Sequence, residues 1–173
     1  MLRATRQIAY PARRRRRRGF QLGWAAWYRQ GSYNVPMTRQ QIQVVQRTWA
    51  QLELVPEAAA AIFYARLFAI DPAASTLFAA ADMRSQRQKL MLTLTEIVRD
   101  LDDLEHLQTR LEELGRRHIA YGVKPEHYST VGDALIWMLA KMLAPDFNKE
   151  TEAAWAAAYE VISKGMLRAE TQV

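Results

Sequence analysis

Cysteine is absent from all 173 residues. Disulfides, thiolate metal centres, thioether-linked prosthetic groups and cysteine nucleophiles are therefore excluded. The chain also lacks any apolar run of about 18 residues, so no transmembrane helix is predicted and no membrane partner is expected. Strand-type alternation is not sustained anywhere, and glycine and proline are sparse, at seven and six. Few breakers and no alternation point to helices. Histidine is scarce as well, with three copies, which makes each one worth locating. Acidic residues are missing from the first 36 positions.

That last gap explains the charge. The net charge is +6. Residues 1–36 carry nine arginines (Arg3, Arg6, Arg13 to Arg18 and Arg29) and no acid. Residues 37–173 carry 15 basic and 18 acidic side chains, a charge of −3. A basic excess spread over a fold would suggest phosphate contacts. One confined to a terminal segment does not, and no nucleic-acid partner is expected. Segment 1–36 shows neither a helical nor a strand period and reads as a disordered, arginine-rich leader. Arg17-Arg18-Gly19-Phe20 faintly resembles a twin-arginine export signal. The apolar stretch after it is short, is broken by Arg29 and has no Ala-x-Ala cleavage site. Three origins stay open for the leader: a start assigned upstream of Met37, a targeting segment, or a functional basic tail. The folded domain is expected over 37–173. The lack of cysteine suits a reducing compartment, and a cytoplasmic location is expected.

From Met37 onward the periodicity is helical. Thr38-x-x-Gln41 is a capping box, followed by Ile42, Val45 and Trp49, which predicts a helix over 38–53. A second, over 56–70, puts Ala60, Tyr64, Leu67 and Phe68 on one face and stops at Asp71-Pro72. A short helical turn runs to Phe78. A helix over 83–101 aligns Gln86, Leu90, Leu94, Ile97 and Leu101. One over 104–120 aligns Leu107, Leu111, Leu114 and His118, before Gly122 and Pro125 break the chain. A helix over 125–143 aligns Tyr128, Val131, Leu135, Met138 and Met142, and a last one over 149–169 aligns Trp155, Tyr159, Ile162 and Met166. The fold class is all-α.

Three polar residues interrupt these apolar faces. His118 continues the stripe of its helix, whereas His106, in a charged turn, and His127, after Glu126, look solvated. The bland alternative for His118 is a buried histidine satisfied by one hydrogen bond. The sharper one is an axial metal ligand, since a neutral imidazole in an apolar cleft is the usual protein ligand of haem iron. Gln86 sits one turn before Leu90, where a solvent-facing glutamine at a helix start would be ordinary. Tyr64 shares a face with Ala60 and Phe68, where a core tyrosine would be ordinary. Each is weak alone. An inward histidine, glutamine and tyrosine together are the ingredients of a ligand pocket.

The ordered segments Ile62-Phe63-Tyr64-Ala65-Arg66-Leu67-Phe68, Asp71-Pro72 to Leu77-Phe78, Leu114-Gly115-Arg116-Arg117-His118, Tyr121-Gly122-Val123-Lys124-Pro125-Glu126-His127-Tyr128 and Val131-Gly132, with Trp155 and Tyr159, carry a family pattern. The chain from Met37 resembles the bacterial single-domain haemoglobins and the globin domain of flavohaemoglobins, and is similar to neuroglobin in overall pattern. The resemblance implies a three-over-three globin fold and a haem b cofactor. It implies that His118 is the proximal iron ligand and that Phe78 packs on the porphyrin. It places Gln86 at the distal position, Leu90 one turn on over the iron, and Tyr64 as the donor to bound oxygen. It assigns Tyr128 to the proximal side. In that family a glutamate late in the last helix joins the histidine and tyrosine. Ungapped from Trp155 that position falls on Gln172, with Glu170 two residues earlier, which puts the triad in doubt.

The expected function is reversible oxygen binding, for storage or transport. The alternative is nitric oxide dioxygenase activity. That would need a separate reductase, because no flavin- or NAD-binding sequence follows the globin-like part. Sensor and haem-free interaction roles rank below both. The partners expected are dioxygen and nitric oxide, with a monomer or homodimer as the oligomeric state.

Overall fold

A computed structural model describes residues 37–169 of the chain. The leader, Glu170 and Gln172 lie outside the described residues. Within them there is no strand. The helices are α1 (Arg39–Leu52), α2 (Pro56–Ile70), the 3-10 helix η1 (Pro72–Phe78), α3 (Met83–Arg99), the 3-10 turn η2 (Asp100–Asp102), α4 (Leu104–Ala120), α5 (Pro125–Met142) and α6 (Lys149–Leu167).

Local chemistry starts and stops each helix. Thr38 and Gln41 form the capping box reciprocally, the Gln41 N–H donating to Thr38 Oγ1 at 3.2 Å and the Thr38 N–H to Gln41 Oε1 at 2.8 Å. Asp82, Asp103 and Asn148 cap α3, α4 and α6 by accepting first-turn N–H groups. Pro56 and Pro125 open α2 and α5, where a missing N–H costs nothing. After α4 the chain turns at Gly122, whose φ of 80° is a left-handed conformation that a side chain would strain. Two boundaries differ from the periodic reading. The apolar stripe runs to Leu101, yet α3 ends at Arg99 and tightens into η2, because Asp100 to Asp103 favour turns and caps over helix interior. Likewise α6 closes at Leu167 rather than at 169.

The helices form two layers of three. α1, α3 and α4 make one layer; α2, α5 and α6 make the other. α2 and α5 share the most extensive contact, and α1 and α4 both cross α6. Trp49 and Trp155 meet at the centre with ring centroids 5.7 Å apart. Each buried indole N–H has a partner: Trp49 donates to Thr95 Oγ1 and Trp155 to Thr48 Oγ1, both at 2.9 Å. The α4–α6 crossing is close-packed at two glycines. A Cβ on Gly115 would stand 2.1 Å from the Met166 carbonyl oxygen, and one on Gly165 would stand 2.6 Å from Leu111 Cδ1. Glycine at 115 lets α4 rest on the α6 backbone, and glycine at 165 leaves room for the Leu111 side chain. That contact sets the depth of α4, and with it the place of His118 one turn later.

Candidate haem site

α3 and α4 follow one another but behave as separate walls. They come together at η2 and pack hardly at all beyond it. The joint is held by Arg110, which reaches Glu96 Oε2 at 2.5 Å on α3 and Asp100 Oδ2 at 3.2 Å on η2. At the far end Leu77 of η1 stands close to Gly122. Phe78, Leu90, Leu114, Val123 and Val131, on the elements around this gap, are half-buried, while the layer behind them is sealed.

His118 belongs to the α4 wall. Its Nδ1 lies 2.9 Å from the Leu114 carbonyl oxygen. A carbonyl only accepts, so Nδ1 carries the proton and Nε2 keeps its lone pair. Burial holds the His118 pKa below the ordinary 6.5, and the hydrogen bond to Leu114 offsets this in part. A neutral imidazole with a fixed tautomer and a free nitrogen is the form that binds a metal.

Tyr64 belongs to the opposite side. It is 5% exposed and sits in a box of aromatic rings. Phe63 and Phe78 meet it edge-on, with centroids 5.1 and 5.4 Å away, and Phe68 lies tilted at 5.8 Å. Burial pushes the Tyr64 pKa up. A hydrogen bond from the Gln86 amide and the positive charge of Arg87 oppose that rise without cancelling it. The hydroxyl is therefore protonated at neutral pH and available as a donor. Tyr64, Gln86 and Phe78 are thus brought together, and Leu90 stands one helical turn from Gln86. Tyr128 on α5 is buried, and its carbonyl accepts the Tyr159 hydroxyl at 2.5 Å, which pins α5 to α6.

These residues fit an iron porphyrin. The donor set is one neutral imidazole nitrogen on α4, the apolar residues Phe78, Leu90, Leu114, Val123 and Val131 are half-buried, and Tyr64 and Gln86 form a hydrogen-bonded pair on α2 and α3. Among the described residues no cluster of three or more acidic, histidine or cysteine side chains could hold a bare metal ion instead.

Some placements differ from the sequence reading. His127 is half-buried rather than solvated, because its Nδ1 accepts the Lys124 N–H at 3.1 Å and so caps α5. His106 is exposed as expected, but it lies 3.5 Å from Asp100 and 3.3 Å from Arg110. Sequence reasoning missed Arg87 and Glu57, which join α3 to α2 through a 2.6 Å ion pair beside Tyr64. The available signal was spacing: Glu57 precedes Tyr64 by seven residues, two turns on the same face.

Comparison with known proteins agrees with this geometry. The sequence profile of the globin family, described simply as Globin, matches residues 61–166. Neuroglobin of Danio rerio is 32% identical over 120 residues, covering 62% of this chain and 76% of its own length. Neuroglobin of Tetraodon nigroviridis is 30% identical over 139 residues, covering 73% and 87%. A flavohemoprotein of Vibrio cholerae is 31% identical over 126 residues, covering 71% of this chain but only 32% of that longer protein. Among solved structures, a bacterial globin from Campylobacter jejuni superposes with a TM-score of 0.69 at 26% identity, covering 78% of this chain and 97% of that one. Haem-based gas binding goes with this membership. On sequence, fold and site together, the chain belongs to the globin family.

Proposed function

We propose that this chain binds molecular oxygen reversibly on haem b, that His118 would hold the iron, and that the functional unit spans 37–173. The observation that carries the reading is the pairing of a tautomer-fixed imidazole on one wall with the Tyr64–Gln86 donor pair on the other. Haem supplies the ferrous iron that takes up a diatomic gas. The protein residues do the rest. Leu114 holds the His118 ring in orientation and raises the basicity of Nε2. Phe78 and Leu90 exclude water. The Tyr64 hydroxyl donates to a ligand that carries partial negative charge, and the Gln86 amide holds that hydroxyl in place. A charge-assisted hydrogen bond of this kind contributes about 1.5–3 kcal/mol. Held in the bound state alone, it slows oxygen release by about 10- to 150-fold.

Two measurements test this. Absorption spectra of the ferric, ferrous and oxygenated protein should show a Soret band that the His118→Ala variant loses. Flash photolysis of Tyr64→Phe should give faster oxygen release by the factor above. An unchanged off-rate would remove the donor role.

A second reading, nitric oxide dioxygenase, draws on the similarity to the globin part of a flavohemoprotein. The same tyrosine and glutamine serve it. It needs a separate reductase to return the iron to the ferrous state after each turnover. Nitric oxide consumption with and without an added flavoreductase separates the two, since a single turnover under both conditions leaves binding alone. A cysteine-free chain with no membrane-spanning helix among its described residues suits a cytoplasmic site of action.

A further inference from the structure

We propose that Arg87, held by Glu57, is a positioning residue of the distal side: it sets a fixed positive potential behind the Tyr64–Gln86 pair, and Glu57 limits how much of that potential reaches the pair. The inference rests on the haem-binding reading above and goes beyond it, because neither residue contacts the gas ligand.

The geometry is specific. Arg87 follows Gln86 directly on α3, and Glu57 lies two turns before Tyr64 on α2. Arg87 Nε stands 2.6 Å from Glu57 Oε1, so the pair ties together the two helices that supply Tyr64 and Gln86. The Nε atom is shielded from solvent, and its N–H is not directed at an acceptor. The contact with Glu57 is therefore coulombic rather than a well-aligned hydrogen bond. The two partners are unequal in burial. The Arg87 side chain is 27% exposed and Glu57 is 60% exposed. Water screens the carboxylate more than the guanidinium, so a positive field survives on the inner side. Guanidinium does not lose its proton in proteins, so the charge is permanent. Arg87 acts on the Tyr64 hydroxyl in the direction a cation must, towards easier proton release. A stronger donor hydroxyl and a local positive potential both favour a ligand with negative charge.

The two partners of this bridge have opposite electrostatic effects, although losing either one breaks the same contact. That is the basis of the test. In the haem-loaded full chain, the carbon monoxide stretching frequency measures the potential at the ligand: a more positive surround lowers it. Arg87→Met should raise the frequency, Glu57→Gln should lower it, and Arg87→Lys should stay near the parent. Azide affinity of the ferric form should fall roughly three- to tenfold in Arg87→Met and rise in Glu57→Gln. If both neutral variants shift the frequency in the same direction, or neither shifts it, the bridge is only a mechanical tie and the proposal is overturned. A readout without haem separates this from the parent reading. Ionisation of Tyr64 in the haem-free chain, followed by ultraviolet difference absorbance against the Tyr64→Phe background, should move up in Arg87→Met and down in Glu57→Gln. Failure to take up haem would defeat the proposed function while this titration still decides the inference; matched shifts or none would overturn it there too.

Discussion

At the scale of single residues, the site depends on which nitrogen or oxygen keeps its proton. Leu114 takes the proton-bearing side of His118 and leaves the other nitrogen unprotonated. Burial keeps Tyr64 a donor. Asp133 on α5 feels the same effect of burial, at a cost to stability. Its carboxyl is pushed above its ordinary value of 3.8, with Arg66 offsetting only part of the rise. A carboxyl with a raised folded-state pKa binds more protons in the folded than in the unfolded chain, so it costs stability as pH rises through that pKa. Asp133→Asn should therefore raise the melting temperature at pH 7, and the gain should vanish as pH approaches 3.8. Melting curves across that range check the sign. His118 and Tyr64 were legible in the sequence because each breaks an apolar stripe from within. Arg87 and Glu57 were not, because a charged residue next to a stripe looks like any solvated face until the neighbouring helix is placed against it.

At the scale of elements, the helices were readable because apolar spacing and end signals agreed. Thr38, Asp82, Asp103 and Asn148 cap, Pro56 and Pro125 open, and Gly122 closes. Removing one cap should have a modest effect: Thr38→Ala is expected to cost about 1 kcal/mol, read from chemical denaturation. What spacing could not convey is how closely two helices cross, since that depends on a missing side chain rather than a present one. Gly115 and Gly165 are interior helical glycines, which look merely unfavourable in sequence. In the fold they are the contact itself. Gly115→Ala places a methyl group 2.1 Å from a backbone oxygen, and backbone cannot swing aside. Such overpacking costs about 1–3 kcal/mol or more. It should also shift α4, so haem transfer to an acceptor apoprotein should be faster than from the parent. Gly165→Ala meets the flexible end of Leu111 as well as its Cβ at 2.9 Å and should be the milder of the two.

At the scale of the whole molecule, the total charge of +6 divides into an arginine-rich first 36 residues and residues 37–173, which carry −3. Every residue assigned to the site lies in the second part. A chain beginning at Met37 should bind haem with the spectrum of the full protein while losing the high isoelectric point. Loss of haem affinity in the shorter chain would place the leader inside the functional unit. Periodicity alone reads as a set of helices; the two-layer arrangement was legible through the family resemblance. How the layers meet depends on long-range contacts such as that between Trp49 of α1 and Trp155 of α6, which no local period encodes.

The joint at η2 has a consequence for loading. α4 leans on α6 through the glycine contact and is tied to α3 and η2 where Arg110 bridges Glu96 and Asp100. Among the described residues, α4 packs mainly on α6 and η2, and its side towards α3 is little covered. A cofactor held between these walls, as proposed above, would supply such a neighbour and act as a structural insert as well as a reactive one. The haem-free chain should open first along α4, with its amides exchanging hydrogen sooner than those of α2 or α5, and haem should slow α4 more than any other helix.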